Sequence, residues 1–135
     1  MINKILIILS LLMLLSCDFG NELKIYKDAL HPEFKGQISS VEYWKGGLLV
    51  IHLKTSNTDE SIAELTNDYD ILQQIKSGYY FEKKPNSNKC LVKTNDSIFY
   101  FDCVFLKKLK TEIADSLLGV EQWDRDMVNK WMVIE

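Results

Sequence analysis

The strongest chemistry available to this chain lies in three cysteines, Cys17, Cys90 and Cys103, and two histidines, His31 and His52. Histidine changes charge near neutral pH, so acid–base work would start there. His52 stands in an apolar run beside Val50, the setting of a packed sheet histidine, and His31 precedes Pro32 at what reads as a helix end. Neither has a partner at a catalytic spacing. Gly-x-Ser-x-Gly, Ser-x-x-Lys and His-Glu-x-x-His are absent, and so is a glycine loop that would cradle phosphate. The acidic series Asp59, Glu60, Glu64, Asp68 and Asp70 lacks the alternation and central glycine of a calcium loop, and reads as a solvated face with a helix cap. Cys90 and Cys103 match no zinc spacing and no Cys-x-x-Cys redox motif. The expectation is no metal, no cofactor and no enzymatic activity.

Charge excludes further classes. The chain carries a net charge of −3, and Arg125 is its single arginine. Bidentate recognition of phosphate or carboxylate favours arginine, so no such site is expected. A mildly acidic chain has no electrostatic footprint for nucleic acid or for anionic lipid head groups. The short clusters Lys83-Lys84 and Lys107-Lys108-Lys110 read as solvated surface.

The amino terminus carries an address. Lys4 precedes Ile5 to Leu15, an apolar run broken only by Ser10. A membrane span needs roughly 20 apolar residues, whereas the core of a secretory signal needs only about 7–15. The run ends in Leu14-Leu15-Ser16-Cys17, which resembles the lipobox of bacterial lipoproteins: an aliphatic residue, a tolerant position, a small residue and a cysteine. The resemblance implies cleavage after Ser16, a diacylglycerol on the Cys17 sulfur and acylation of the new amine. Two or three chains satisfy the two-signal requirement for stable anchoring. The implied organisation is a signal peptide over residues 1–16, a lipidated tether over 17–21 and one small α+β domain over 22–135. The implied location is the cell envelope, lipid-anchored and facing periplasm or surface.

The elements behind the tether follow from periodicity. Residues 22–30 read as a short amphipathic helix, with Asn21 as N-cap. Residues 35–44 and 48–54 flank Gly46-Gly47, the composition of a two-residue hairpin turn that would set Trp44 opposite Leu49. Residues 55–60 read as a polar loop and 61–66 as a strand. Asp68 caps a short helix with Tyr69, Leu72 and Ile75 on one face, ended by Gly78. Strands over 79–83, 89–94 and 97–105 follow, the last two joined at Asn95-Asp96. That turn pairs Cys90 with Phe101 and sets Cys103 diagonally from Cys90. Diagonal neighbours lie about 7–8 Å apart, slightly beyond a disulfide's usual Cα span unless a bulge or twist intervenes. A structural disulfide and two buried free thiols both remain open. Val120, Trp123, Met127 and Trp131 recur at helical spacing, so the tail reads as a helix. The expected fold class is α+β: a small curved antiparallel sheet, barrel-like, with short flanking helices.

Over residues 35–103 the order of hairpin, acidic segment, short Tyr-containing helix, the turn Gly78-Tyr79-Tyr80-Phe81-Glu82-Lys83-Lys84-Pro85-Asn86-Ser87 and the closing strand Ser97-Ile98-Phe99-Tyr100-Phe101 loosely resembles small uncharacterised lipoproteins of Gram-negative bacteria, with Gly78, Lys83 and Ser87 as the matching positions of the turn. That resemblance implies a small β-rich barrel with a helix and no particular activity. Aromatic groups at Tyr43/Trp44, Tyr79/Tyr80/Phe81 and Trp123/Trp131 serve either a core or a binding surface. Core is the favoured reading; Trp44, Tyr80 and Trp131 are the candidate binding residues, with Tyr80 and Trp131 the ones expected to be exposed. The leading expectation is a non-enzymatic envelope lipoprotein that binds a protein partner as accessory, scaffold or inhibitor. The alternative is a small-ligand carrier with an apolar pocket lined by residues such as Trp44 and Phe101. No oligomeric state follows from the pattern.

Overall fold

The computed structural model describes residues 22–54 and 60–134. The expected signal peptide, the tether with Cys17, the Asn21 cap and most of the polar loop lie outside those residues. Seven strands form one antiparallel sheet: β1 (Phe34–Trp44), β2 (Leu48–Lys54), β3 (Glu60–Thr66), β4 (Tyr80–Lys83), β5 (Lys89–Lys93), β6 (Ser97–Asp102) and β7 (Trp131–Val133). Their spatial order is β3-β2-β1-β4-β5-β6-β7. Helix α1 spans residues 22–30. Two shorter helices, α2 (Tyr69–Leu72) and α3 (Thr111–Ser116), and a 3-10 turn at Leu106–Lys108 complete the described elements. No helix among the described residues is long and apolar enough to cross a membrane.

Alternation drives the sheet. On β2, Leu49, Ile51 and Leu53 are fully buried, while Leu48, Val50 and His52 point the other way. Phe81, Val92, Phe99 and Phe101 line the same interior, with Leu72, Ile75, Ile113 and Leu117 added by the connecting segments. Leu30 of α1 is buried in this cluster, and Leu23 and Tyr26 pack against it. The sheet is not closed. One parallel bridge, Thr66 with Val104, ties the end of β3 to the segment after β6, where Thr66 N–H donates to the Cys103 carbonyl and Phe105 N–H to the Thr66 carbonyl.

The first hairpin departs from the expected register by one residue. Its loop is Lys45-Gly46-Gly47, so Trp44 faces Leu48 and Tyr43 faces Leu49. The pairing then shifts between Ile38 and Ser40. Ile38 and Val41 differ in strand parity, yet both pack on the core side; a bulge at Ser39 reconciles them. The bulge is held by Ser39 Oγ–H on the His52 carbonyl and Ser77 Oγ–H on the Ser39 carbonyl.

The tail also differs. Residues 120–134 form no helix; they run as a strap along β5 and β6 and end in β7. Each large side chain finds its own seat. Trp123 Nε1–H donates to the Cys90 carbonyl at 2.8 Å and sets its ring 4.7 Å from Tyr100. Trp131 stacks on Phe99, with ring centroids 5.2 Å apart. Asn129 takes a left-handed φ of 65°, which no helix continues through, and its N–H reaches the Tyr100 carbonyl. Tertiary partners override a periodicity that local propensity alone would turn into helix.

The β5–β6 register has Cys90 opposite Phe101, with Thr94 N–H closing the turn onto the Ser97 carbonyl. Strand β6 stops at Asp102 rather than Phe105, and the chain bends at Cys103. The bend brings the Cα atoms of Cys90 and Cys103 to 5.3 Å, and a disulfide joins them inside the core.

Candidate functional site

The most exposed aromatic surface lies at the tip of the first hairpin. Trp44 is 60% exposed and Tyr69 62%, beside the half-exposed Tyr43. These side chains, with Lys45, Leu48 and Lys108, line an open cleft of about 540 Å³. Tyr43 and Tyr69 meet edge to face at 6.3 Å, and the Tyr43 hydroxyl donates to the Leu72 carbonyl at 3.0 Å. Burial, and then the neighbouring Tyr69 phenol, raise the Tyr43 pKa. The sequence reading placed Tyr69 on the buried face of α2. Leu72 and Ile75 take that face, while Tyr69 points outward at the tip. Asp68 makes no side-chain cap bond and pairs instead with Lys108 at 2.7 Å.

This tip adjoins the start of α1. Glu22, Ile25, Tyr26 and Ala29 of α1 share an apolar groove of about 220 Å³ with Leu48, Glu64, Thr66 and Val104. Tyr26 also shares a smaller depression with Gly46, Gly47 and Lys108. Lys110 pairs with Glu22 at 3.3 Å. Among the described residues, Thr66 Oγ1 is the one buried side-chain polar atom without a hydrogen-bond partner.

A second surface is the outer edge of β3. Its pairing with β2 runs unbroken from Glu60 to Thr66, and among the described residues no strand pairs its other side. Ile62 is 52% exposed there. Next to it, the half-buried His52 holds Glu60 through Nδ1 at 3.0 Å, with Glu42 at 3.8 Å from Nε2. Ser40 stands opposite His52 on β1, and among the described residues no group of histidine, cysteine or carboxylate side chains is arranged to hold a metal.

The three candidate binding aromatics are not brought together. Trp44 faces solvent at the tip, but Tyr80 is half-buried under Lys93. Trp131 is 37% exposed, packs on Phe99 and Tyr79, and donates from Nε1 to Gln74. Phe101, named with Trp44 for an apolar pocket, is fully buried against Phe81 and Phe99.

Several polar residues are internal ties. Lys83, read as solvated surface, is 2% exposed. Its ammonium donates to the carbonyls of Leu30 at 2.6 Å, Pro32 at 2.8 Å and Lys84 at 2.9 Å, so it pins the C-terminal end of α1 to β4. Burial lowers its pKa to about 8. Ser87, fully buried, bonds the Lys84 carbonyl and the Lys89 N–H. Asn88 acts as a surrogate strand, accepting from Val104 N–H and donating to the Val104 carbonyl. His31 bonds Asn86 across the same turn. Arg125 does form a bidentate carboxylate pair, but with Asp102 of its own sheet, at 2.8 and 2.9 Å. That hydrogen bond raises the arginine's pKa. Position in the sequence gave no sign of these pairings, because each joins residues that are distant along the chain or set by a turn.

Compared with known proteins, the chain matches no family model, no curated protein and no solved structure.

Proposed function

We propose that the chain is a non-enzymatic lipoprotein of the bacterial cell envelope, anchored through lipid on Cys17, and that its folded domain binds a protein partner as an accessory, scaffold or inhibitor. The anchor rests on Lys4, the apolar run Ile5 to Leu15 and the lipobox-like Leu14-Leu15-Ser16-Cys17. The observation that carries the protein-binding part is the outer edge of β3 from Glu60 to Glu64, which no strand among the described residues pairs and on which Ile62 is exposed; Thr66 at its end is taken by the segment after β6. An unpaired strand edge recruits an extended segment by backbone hydrogen bonding, and its side chains set the choice of segment. Glu60 and Glu64 on that strand disfavour a second copy of β3 and favour a segment carrying lysine or arginine. A barrel-like reading of the sheet draws on the Thr66–Val104 bridge, which ties the end of β3 to the segment after β6.

A photo-crosslinking residue at position 62 of the full-length chain, expressed in intact cells, tests this. The expected result is one reproducible adduct with an envelope protein. Adducts no more frequent than those from the exposed Leu118 position would refute partner binding at β3.

A further inference from the structure

We propose that the hairpin-tip face formed by Tyr43, Trp44 and Tyr69 rests on the bilayer interface beside the lipid anchor and fixes the orientation of the domain on the membrane. The inference rests on the anchoring part of the reading above. Residues 17–21 are all that separates the acylated cysteine from α1, and five residues reach at most about 18 Å. A compact domain of about 100 residues has a radius of gyration of about 13 Å. The tether is therefore shorter than the domain is wide, and the side carrying the start of α1 must face the bilayer.

The hairpin tip is on that side. Leu48 shares a groove with Glu22, Ile25 and Tyr26, and Lys110 pairs with Glu22. The surface there is chemically unusual for one facing water: Ile25 is 65% exposed, and Leu48 lines both its groove and the cleft of the exposed Trp44 and Tyr69. Tryptophan and tyrosine have an apolar ring with a polar handle, which suits the head-group region of a membrane. Lys45, in the hairpin loop, and Lys108 line the same cleft as the aromatics. Lys108 pairs with Asp68, and Lys110 with Glu22 beside the groove. Glu64 lines that groove and Asp70 follows Tyr69, so the face carries charges of both signs, with Lys45 the lysine next to Trp44. Each lysine near an anionic leaflet adds attraction that falls off within a Debye length.

The test uses the mature lipoprotein in phosphatidylethanolamine–phosphatidylglycerol vesicles containing lipids brominated near the head group. The chain has three tryptophans. Quenching of one of them is expected, with loss of that quenched fraction in Trp44→Phe, while Trp123 and Trp131 stay unquenched. Lys45→Glu is expected to reduce the quenched fraction in anionic vesicles and leave it unchanged in phosphatidylcholine. Intact mass of the same preparation separates the two ways of failing. An acylated protein whose quenching is the same in wild type and Trp44→Phe overturns the membrane contact alone. A mass without acyl chains overturns the anchor and the contact with it. A photo-crosslinker at position 44 that captures an envelope protein and no lipid overturns the contact in favour of a protein seat at the tip.

Discussion

Lys83 makes the stability of this domain depend on pH in an unusual direction. Its ammonium is buried on three backbone carbonyls, and burial lowers its pKa from 10.5 to about 8. Between those values the unfolded chain still holds the proton that the folded chain has released. Stability from this group therefore rises with pH across the window from about 8 to 10.5, is fully present above it, and is lost as pH falls through about 8. At about 1.4 kcal/mol per pH unit, the gap sets a ceiling of about 3 kcal/mol. The three carbonyls favour the charged form, which makes the expected increment smaller than that ceiling. Urea unfolding of wild type and Lys83→Met at several values between pH 7.5 and 10.5 measures it. Other lysines and the tyrosines titrate in both proteins and cancel in the difference. The wild-type stability, taken relative to the variant, is expected to climb through the window. Two parallel curves would show that folding does not lower the Lys83 pKa, and the reasoning would fail.

Replacing Cys90 and Cys103 together by alanine should cost about 3 kcal/mol, the loop-closure value for a separation of 13 residues, read as a lower denaturation midpoint. Asp102→Asn removes the charge opposite Arg125, and a loss of about 1–3 kcal/mol is expected. Hydrogen exchange at the Asn129 amide should then speed up, since that bond holds the strap to β6. Gly47→Ala should cost about 1–3 kcal/mol in thermal unfolding, because φ is +80° and a Cβ would stand 2.7 Å from the Asn67 carbonyl oxygen.

Much of the strand layout was legible because it is local. Residues 48–54 form an apolar run set off by Gly46-Gly47, and the β2 bounds Leu48–Lys54 coincide with that run. Asn95-Asp96 is a strong turn, so the Cys90–Phe101 pairing could be counted from it. The first hairpin misled by one residue because Gly46-Gly47 fits a two-residue turn equally well in composition. Only the core-side packing of both Ile38 and Val41 demands the longer loop and the bulge. The tail misled more deeply. Val120, Trp123, Met127 and Trp131 have helical spacing, but their partners Tyr100, Cys90 and Phe99 lie on a preformed sheet that periodicity does not represent.

The candidate surfaces divide in the same way. Trp44 was named as a binding candidate by type, whereas Tyr69 looked like core, and it points outward because Leu72 of α2 and Ile75 beyond it take the interior. Lys83 was indistinguishable from a surface lysine, since nothing in a Lys-Lys pair tells which ammonium will meet three carbonyls. By itself the sequence determined the antiparallel sheet and most strand bounds, because these depend on runs, alternation and turn chemistry within about ten residues. The tertiary structure decided the course of the tail, the reach of Cys103 to Cys90, the burial of Lys83 and the meeting of Tyr69 and Lys108 with the hairpin tip. Those depend on which distant backbone groups and rings become neighbours once the sheet forms, and no local pattern encodes that.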